Sequence, residues 1–494
     1  MDNSAESGDG ADRSRWTRNH TASIERRHGN VAPLTGSPDV DPFPEIHIWD
    51  TWLLRDRHGE IADVDGWRFA FSLTAPADLL PGKRHDVAEI RCFYSADGTR
   101  WHDAGAVFAG GALGQRQWAG SALYDDGDLY LYYTAAGDET ADEVTYTQRI
   151  AVAHGGELTT SADGVELSGP WTHEILLTPD GEWYETETAS RGMTYTFRDP
   201  WFFDDPATGE TYLLFEANVP APERPGDDAE TSRRREFNGR VGVAVSESGD
   251  PLSWELRPPL LDAVEVNQEL ERPHVVVADG RYYLFVCSHV HTFAPGVTGP
   301  DALYGFVADA VDGEYRPLNG SGLVATNPPE APFQAYSWMA FAHEEEVLVQ
   351  SFLNYYDFAG DSLDAIAEFP EADQRERFGG TLAPTLRLAV DGDRTRLIGT
   401  LAGWHMPTPD EPLPPADGSS LPGDDALSGQ LREATETEGE YGAELGGASG
   451  EQTVSGGEDG SRDAGGGGCA GREGGGCGRR ERVGSPEPAG RHAA

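Results

Sequence analysis

Apolar residues in this chain cluster in short strand-length runs separated by tight turns rich in Gly and Asp. WAGSALY, DDGD and LYLYYTA follow one another from Trp118 to Ala135. WFF, DDPATGE and TYLLFEAN do the same from Trp201 to Asn218, and HVVV, ADG and RYYLFVCSH from His274 to His289. Each triplet predicts a β-hairpin, because Asp and Gly accept the positive φ that tight turns need. Long helical periodicity is scarce. DSLDAIAEF, from Asp361 to Phe369, is the best helix candidate, and it is short.

The unusual segments recur. IWDTW holds Asp50, QWAGSA holds Trp118, FRDPWFF holds Asp199, LERPH holds Glu271 and AYSWM holds Tyr336. Successive members lie about seventy residues apart, room for one four-stranded antiparallel sheet with generous loops. Five such units predict an all-β fold: a five-bladed β-propeller whose first strands line a central acidic pocket. A two-sheet sandwich also uses many short strands, but it has no reason to repeat at this interval.

The ends differ from the middle. Residues 1–40 are polar and read as a flexible N-terminal segment, and residues 41–408 carry the patterned propeller. PTPDEPLPPADGSSLPGDD then reads as a linker into a Pro/Gly-rich disordered tail, residues 409–494, which ends in an arginine-rich stretch. The N-terminus lacks the apolar core of a signal peptide, and no apolar run is long enough to span a bilayer. A cytoplasmic enzyme and unconventional export both fit. Cys92 and Cys287 fall in strand-like segments, whereas Cys469 and Cys477 match no zinc pattern.

Charge narrows the partners. Eighty-five acidic residues face 37 basic ones, for a formal net charge of −48. A nucleic acid or an anionic membrane would be repelled by such a surface. Lys83 is the single lysine. A chain this acidic strains against itself unless counterions are dense, which points to a high-salt environment.

Three carboxylates stand apart from the solvated majority. Asp50 lies between Trp49 and Thr51, Asp199 between Arg198 and Pro200, and Glu271 before Arg272 and Pro273. Acids held in strands among aromatics and arginines suit sugar chemistry. Aromatic faces stack on sugars, carboxylates bind hydroxyls, and two carboxyl groups flanking a glycosidic bond cleave it with retention. Glu269 and Glu271, two apart on a strand, would face one channel, with Arg272 turned away to brace the wall. A surface ion-pair cluster is the competing reading of this motif.

These segments together resemble the levansucrase, inulosucrase and β-fructofuranosidase family of sucrose-acting fructosyltransferases, over roughly residues 43–405 and most closely its Gram-negative branch. WDTW resembles the family's nucleophile motif, which implies Asp50 as nucleophile and Trp49 as a subsite wall. FRDP implies Asp199 as transition-state stabiliser and Arg198 as a substrate ligand. LERP implies Glu271 as acid/base, with Glu269 and Arg272 in support. QWAGSA makes Trp118 a further wall, AYSWM places Tyr336 beside the acid/base, and SHVHTFAPGVTGPDALYGFV places His289 at the acceptor side. The resemblance implies sucrose and sugar or fructan acceptors as partners, a monomer and no cofactor. It also shows departures. Ala119 stands where a serine usually contacts the nucleophile, Trp338 where a histidine is common, and Gln268 where some members carry a calcium-binding aspartate, so a structural calcium is not expected. A catalytically silent sugar-binding propeller is the rival from another class.

Overall fold

The computed structural model describes residues 14–38, 41–108, 111–220, 226–408 and 411–416. Five strands organise it, labelled here in chain order: β1 (Ile46–Asp56), β2 (Arg116–Asp125), β3 (Phe197–Asp204), β4 (Glu271–Ala278) and β5 (Ala335–His343). Each pairs antiparallel with the next, unlabelled strand in the chain: Arg68–Pro76, Asp128–Ala136, Thr211–Asn218, Arg281–Ser288 and Glu346–Tyr355 respectively. The three hairpins expected from the sequence are among these pairs. In the second and fourth, two-residue turns carry Asp126 and Gly127, or Asp279 and Gly280, all at positive φ. A left-handed Asp–Gly pair matches the twist of the flanking strands, which is why these turns are so short.

Among the described residues the strands form one eight-stranded sheet, three five-stranded sheets and a two-stranded ribbon. The eight-stranded sheet consists of two antiparallel halves joined where β1 and β2 run parallel, from Leu54 beside Ala122 to Asp56 beside Tyr124. The sheets bury their apolar faces in a core that includes Trp49, Trp52, Phe285 and Trp338. Cys92 and Cys287 are buried and free; Cys469 and Cys477 lie outside the described residues.

Two expectations need correction. Residues 14–38 are packed where composition suggested a flexible segment. Ser14–Arg15 adds a parallel strand to Glu255–Asp262, Trp16 is buried with its Nε1 donating to the Ser321 carbonyl at 2.9 Å, and Arg18 donates to the carbonyls of Glu265 and Pro295. One buried tryptophan and a few backbone bonds fix a polar stretch whose average composition suggests otherwise. Asp361 to Phe369 forms a 3-10 turn, Leu363–Glu368, in place of an α-helix, and α-helices form instead at Ala229–Arg235 and Glu371–Arg377. The second of these has Glu371 and Asp373 in its first turn and Arg375 and Arg377 in its last, the order the helix dipole favours. The expected disordered tail lies outside the described residues, except for 411–416. There Glu411 accepts from His405 at 2.9 Å and the Pro414 carbonyl accepts from Arg387 at 2.6 Å.

Candidate active site

Each of the five labelled strands carries one extra residue relative to its partner at the same level. The register shifts between Trp49 and Trp52, Trp118 and Gly120, Arg198 and Trp201, Glu271 and His274, and Tyr336 and Met339. These are β-bulges, which kink a strand and re-aim its side chains. Four of them contain a non-glycine residue in the left-handed region: Asp50 (φ 48°), Asp199 (60°), Arg272 (50°) and Ser337 (56°). Such backbone strain persists where the surroundings enforce it, and it concentrates at functional sites. Pro200 and Pro273 fit because a bulge interrupts the hydrogen-bond ladder and spares the missing N–H. The recurring segments of the sequence are thus the bulges.

Arg198 is the hub of the acidic cluster. Its Nε donates to Glu216 Oε2 at 2.6 Å, while Nη2 reaches Glu271 Oε1 at 2.9 Å and Glu269 Oε1 at 3.2 Å. Asp199 lies 4.0 Å away. Glu269 and Glu271 therefore meet at the same nitrogen of Arg198, and with Glu216, Glu269 and Asp199 buried and Arg198 and Glu271 half-buried the cluster is not a surface ion-pair patch. Arg272 points the other way and stitches three inner strands together. Nη1 donates to the Ser337 carbonyl (3.1 Å) and hydroxyl (2.6 Å), Nη2 to the Thr51 carbonyl (2.8 Å), and its backbone N–H to Asp199 Oδ2 (3.0 Å).

Glu271 Oε2 accepts a short hydrogen bond from the Tyr336 hydroxyl. His289 Nε2 lies 3.8 Å from the same oxygen, and its Nδ1 is bonded to Asp301 Oδ2 at 2.7 Å. His274 acts elsewhere. Its ring joins the Arg272 carbonyl to the Ala340 N–H, and burial drives its pKa down to about 3, so it stays a neutral brace.

Trp49 and Trp118 meet through His85. Trp49 is fully buried, and His85 meets its face edge-on at 5.4 Å between centroids. The His85 carbonyl accepts from Trp118 Nε1 at 3.2 Å. Trp52 is core, and the exposed edge of Trp67 donates to the Ser161 carbonyl. Asp50, Asp199, Glu271, Arg198, Glu269, Arg272, His289 and Tyr336 thus share one set of contacts, whereas Trp49 and Trp118 are linked to each other by His85.

The carboxylates share one electrostatic environment. Burial raises the pKa of Asp50, opposed by Arg272 and by a hydrogen bond from Ser337, with Glu271 pushing further upward. Burial lifts Asp199 to about 7 against the pull of Arg198, and Glu271 and Asp50 add to the rise. His289 moves opposite to its burial: Asp301 holds it at about 9.

Sequence reading missed Glu216, Asp301, Arg84, His85 and Ser337. Glu216 had a signal, a single carboxylate inside the apolar run TYLLFEAN. Ser337 supplies the hydroxyl beside Asp50 that Ala119 lacks. At the position of the doubted calcium, the Gln268 amide donates to the Thr194 carbonyl (2.8 Å) and Asn238 Oδ1 (3.0 Å), and among the described residues no cluster of acidic, His or Cys side chains is placed to hold a metal.

The chain matches the glycoside hydrolase family 68 profile, described as levansucrase/invertase, over residues 6–400. It is 38% identical over 419 residues to a levansucrase of Rahnella aquatilis, covering 77% of this chain and 93% of that one. An inulosucrase of Halalkalicoccus jeotgali, solved bound to kestose, is 60% identical; the match covers 83% of this chain and all of that one, with a TM-score of 0.80. The levansucrase of Gluconacetobacter diazotrophicus superimposes with a TM-score of 0.65 at 27% identity, covering 81% of this chain and 93% of that one.

Proposed function

Because the chain belongs to glycoside hydrolase family 68, the levansucrase/invertase family, we propose that it is a retaining fructosyltransferase acting on sucrose. The observation that carries this reading is the meeting of Asp50, Asp199 and Glu271, from three separate bulges, within one another's electrostatic reach. The family fold is a β-propeller, and the five bulged strands support a count of five blades, with one catalytic or binding group at the head of each. The catalytic unit then runs from about residue 14 to about residue 408.

In the first step Glu271 gives its proton to the glucosyl oxygen as the bond from that oxygen to the fructosyl anomeric carbon breaks. Asp50 attacks that carbon and forms a fructosyl ester. Asp199, held by the Arg272 N–H, accepts fructosyl hydroxyls and stabilises the positive charge that develops on the ring. In the second step Glu271 takes the proton of the acceptor hydroxyl, whose oxygen displaces Asp50. Trp49 and Trp118 wall the fructosyl unit, Arg198 and Glu269 bind hydroxyls, and His289 and Tyr336 border the acceptor. A water acceptor gives free fructose, and a sugar gives oligosaccharide or fructan. The reaction as written draws only on side chains of the chain.

The 60% identity to an inulosucrase favours β-2,1 linkage as the second reading beside the levan-type β-2,6 product. Incubation with sucrose in molar salt tests both. Glucose release in excess of free fructose is the expected result, and linkage analysis of the product then distinguishes the two. Equal yields would make the enzyme a hydrolase. Sucrose binding without glucose release at any salt concentration would leave only a sugar-binding propeller.

A further inference from the structure

We propose that His85 is a substrate ligand: its imidazole binds a hydroxyl of the fructosyl unit, between Trp49 and Trp118. The inference rests on the reading of those two tryptophans as walls of the fructosyl subsite. His85 lies in the 3-10 turn Pro81–Asp86 and is half-buried. Its ring stands 5.4 Å from Trp49 and 6.4 Å from Trp118 between centroids, at 69° and 88° to their planes. Its carbonyl accepts from Trp118 Nε1 at 3.2 Å, so the backbone of the turn is tied to Trp118 without help from the side chain. The imidazole is held among aromatic groups by packing: Nε2 is buried and has no hydrogen-bond partner among the described residues.

A buried nitrogen without a partner costs stability, so folded chains rarely keep one without a use. Among the described residues two buried imidazole nitrogens lack a partner, Nε2 of His85 and Nε2 of His289. The second lies 3.8 Å from Glu271. His274, whose role is structural, uses both of its nitrogens, on the Arg272 carbonyl and the Ala340 N–H. An unsatisfied imidazole nitrogen therefore marks the site and not the scaffold. The charge state of His85 suits the same ligand. Burial pushes its pKa well below 6.5, and the charges of Arg84, Arg198, Arg116 and His289 push it the same way. Arg198 and His289 belong to the cluster around Glu271, so the field of that cluster reaches the ring. A neutral imidazole fits a neutral hydroxyl, which can both give and accept a hydrogen bond.

The test is calorimetric binding of sucrose, in molar salt, to the full chain carrying Asp50→Asn, alone and combined with His85→Phe or His85→Gln. Phenylalanine keeps a ring for packing, and glutamine keeps a polar atom near the position of Nε2. His85→Phe should weaken sucrose binding about tenfold, the effect of one hydrogen bond, and His85→Gln should recover part of the loss. The thermal midpoint of His85→Phe should equal or exceed the parent's, because an unpaired buried nitrogen is removed. An unchanged dissociation constant overturns the proposal. Weaker binding with a lowered midpoint also overturns it, as does failure of both variants to fold, since either marks the ring as a packing brace. A second measurement identifies the hydroxyl, using sucrose analogues that each lack one fructosyl hydroxyl. The analogue without the paired hydroxyl should bind equally well with and without His85→Phe. If His85→Phe weakened every analogue as much as it weakens sucrose, the ring would touch no fructosyl hydroxyl and the proposal would fail. If the unaltered chain releases no glucose, the enzyme reading fails on its own, and the binding series still decides the role of His85.

Discussion

The imidazole of His289 lies flat against the phenol ring of Tyr336, 3.6 Å between centroids and 14° from parallel. Both rings address one oxygen of Glu271, Tyr336 by a short hydrogen bond and His289 from 3.8 Å. Asp301 anchors the back of the imidazole at 2.7 Å, and its carboxylate also accepts the Val290 N–H at 2.7 Å. Burial opposes charge on His289, but Asp301 prevails and holds the ring as imidazolium up to about pH 9. A folded pKa above the ordinary 6.5 means that the stabilisation is complete below that value and disappears as pH rises through about 9. Asp301→Asn should lose about 2 kcal/mol of stability at pH 7 and abolish the decline between pH 7 and 9.5. Thermal midpoints across that range check it; a variant with the parent's pH slope would disconnect Asp301 from the titration.

Removing the two groups proposed to react gives the most direct test. Asp50→Ala and Glu271→Gln should each lower glucose release from sucrose at least ~10³-fold. Neither residue is a main support of the fold: Asp50 occupies a strained φ of 48°, and Glu271 is half-buried at the mouth of the cluster. Circular dichroism should therefore be unchanged. Near-parental turnover in either variant would remove that residue from the mechanism.

How much of this was legible follows from the physics of each element. Hairpins announce themselves through Asp–Gly turns, so the pairs around Gly127 and Gly280 were readable. The prolines in FRDP and LERP were a readable sign of bulges as well, since proline inside a strand needs an interrupted ladder. Arg84 was hidden because PGKRHD has the composition of an exposed turn, and Lys83 and Asp86 do face outward. Only the packing of Trp49, Phe352 and Phe378 draws Arg84 in. Asp301 was hidden for a different reason: its partner His289 is twelve residues away across a loop, and no local pattern links the two. The packed N-terminal stretch shows the limit of composition, because Trp16 decides its fate more than its polar neighbours do.

Burial of the Asp199 carboxylate works against stability. Its pKa is raised to about 7, mainly by burial. The unfolded chain releases this proton near pH 4, so the cost of the buried carboxylate is absent below that pH and complete above about 7. Asp199→Asn keeps an oxygen for the Arg272 N–H but carries no charge. Its stability should exceed the parent's by roughly 1–3 kcal/mol at pH 8 and match it at pH 4. Glucose release should fall about 10³-fold, as expected for loss of a preorganised charge. Equal stability at both pH values would show that the carboxylate is not strained by burial.

The formal charge of −48 predicts a strong response to salt. Repulsion among exposed carboxylates acts over about 10 Å at 0.1 M salt and about 3 Å at 1 M. The thermal midpoint should climb steeply with KCl up to about 1 M and then level off. The buried pairs around Arg198 are shielded from bulk ions and should not weaken over this range. An uncharged osmolyte at the same osmolality should reproduce little of the gain. A midpoint indifferent to salt would show that the acidic surface is not what limits stability.

Arg272 joins structure to chemistry more tightly than any other residue of the site. It is buried, it occupies the left-handed region at its own bulge, and its guanidinium binds the strands of Thr51 and Ser337. Its charge is also the largest influence opposing the upward shift of Asp50. Arg272→Met strands two buried carbonyls and the Ser337 hydroxyl and weakens the field on Asp50, so stability should drop by about 3–5 kcal/mol and glucose release should nearly vanish. Arg272→Lys keeps the charge but cannot span both strands with a single ammonium, so it should recover part of the activity limb and little of the stability. Ser337→Ala removes one acceptor and one donor to Asp50 and should cost only about 1 kcal/mol. Chemical denaturation and pH–rate profiles of the three variants separate the two roles. If Arg272→Lys restored stability fully, the charge alone would hold these strands together, and the bidentate reach of the guanidinium would not matter.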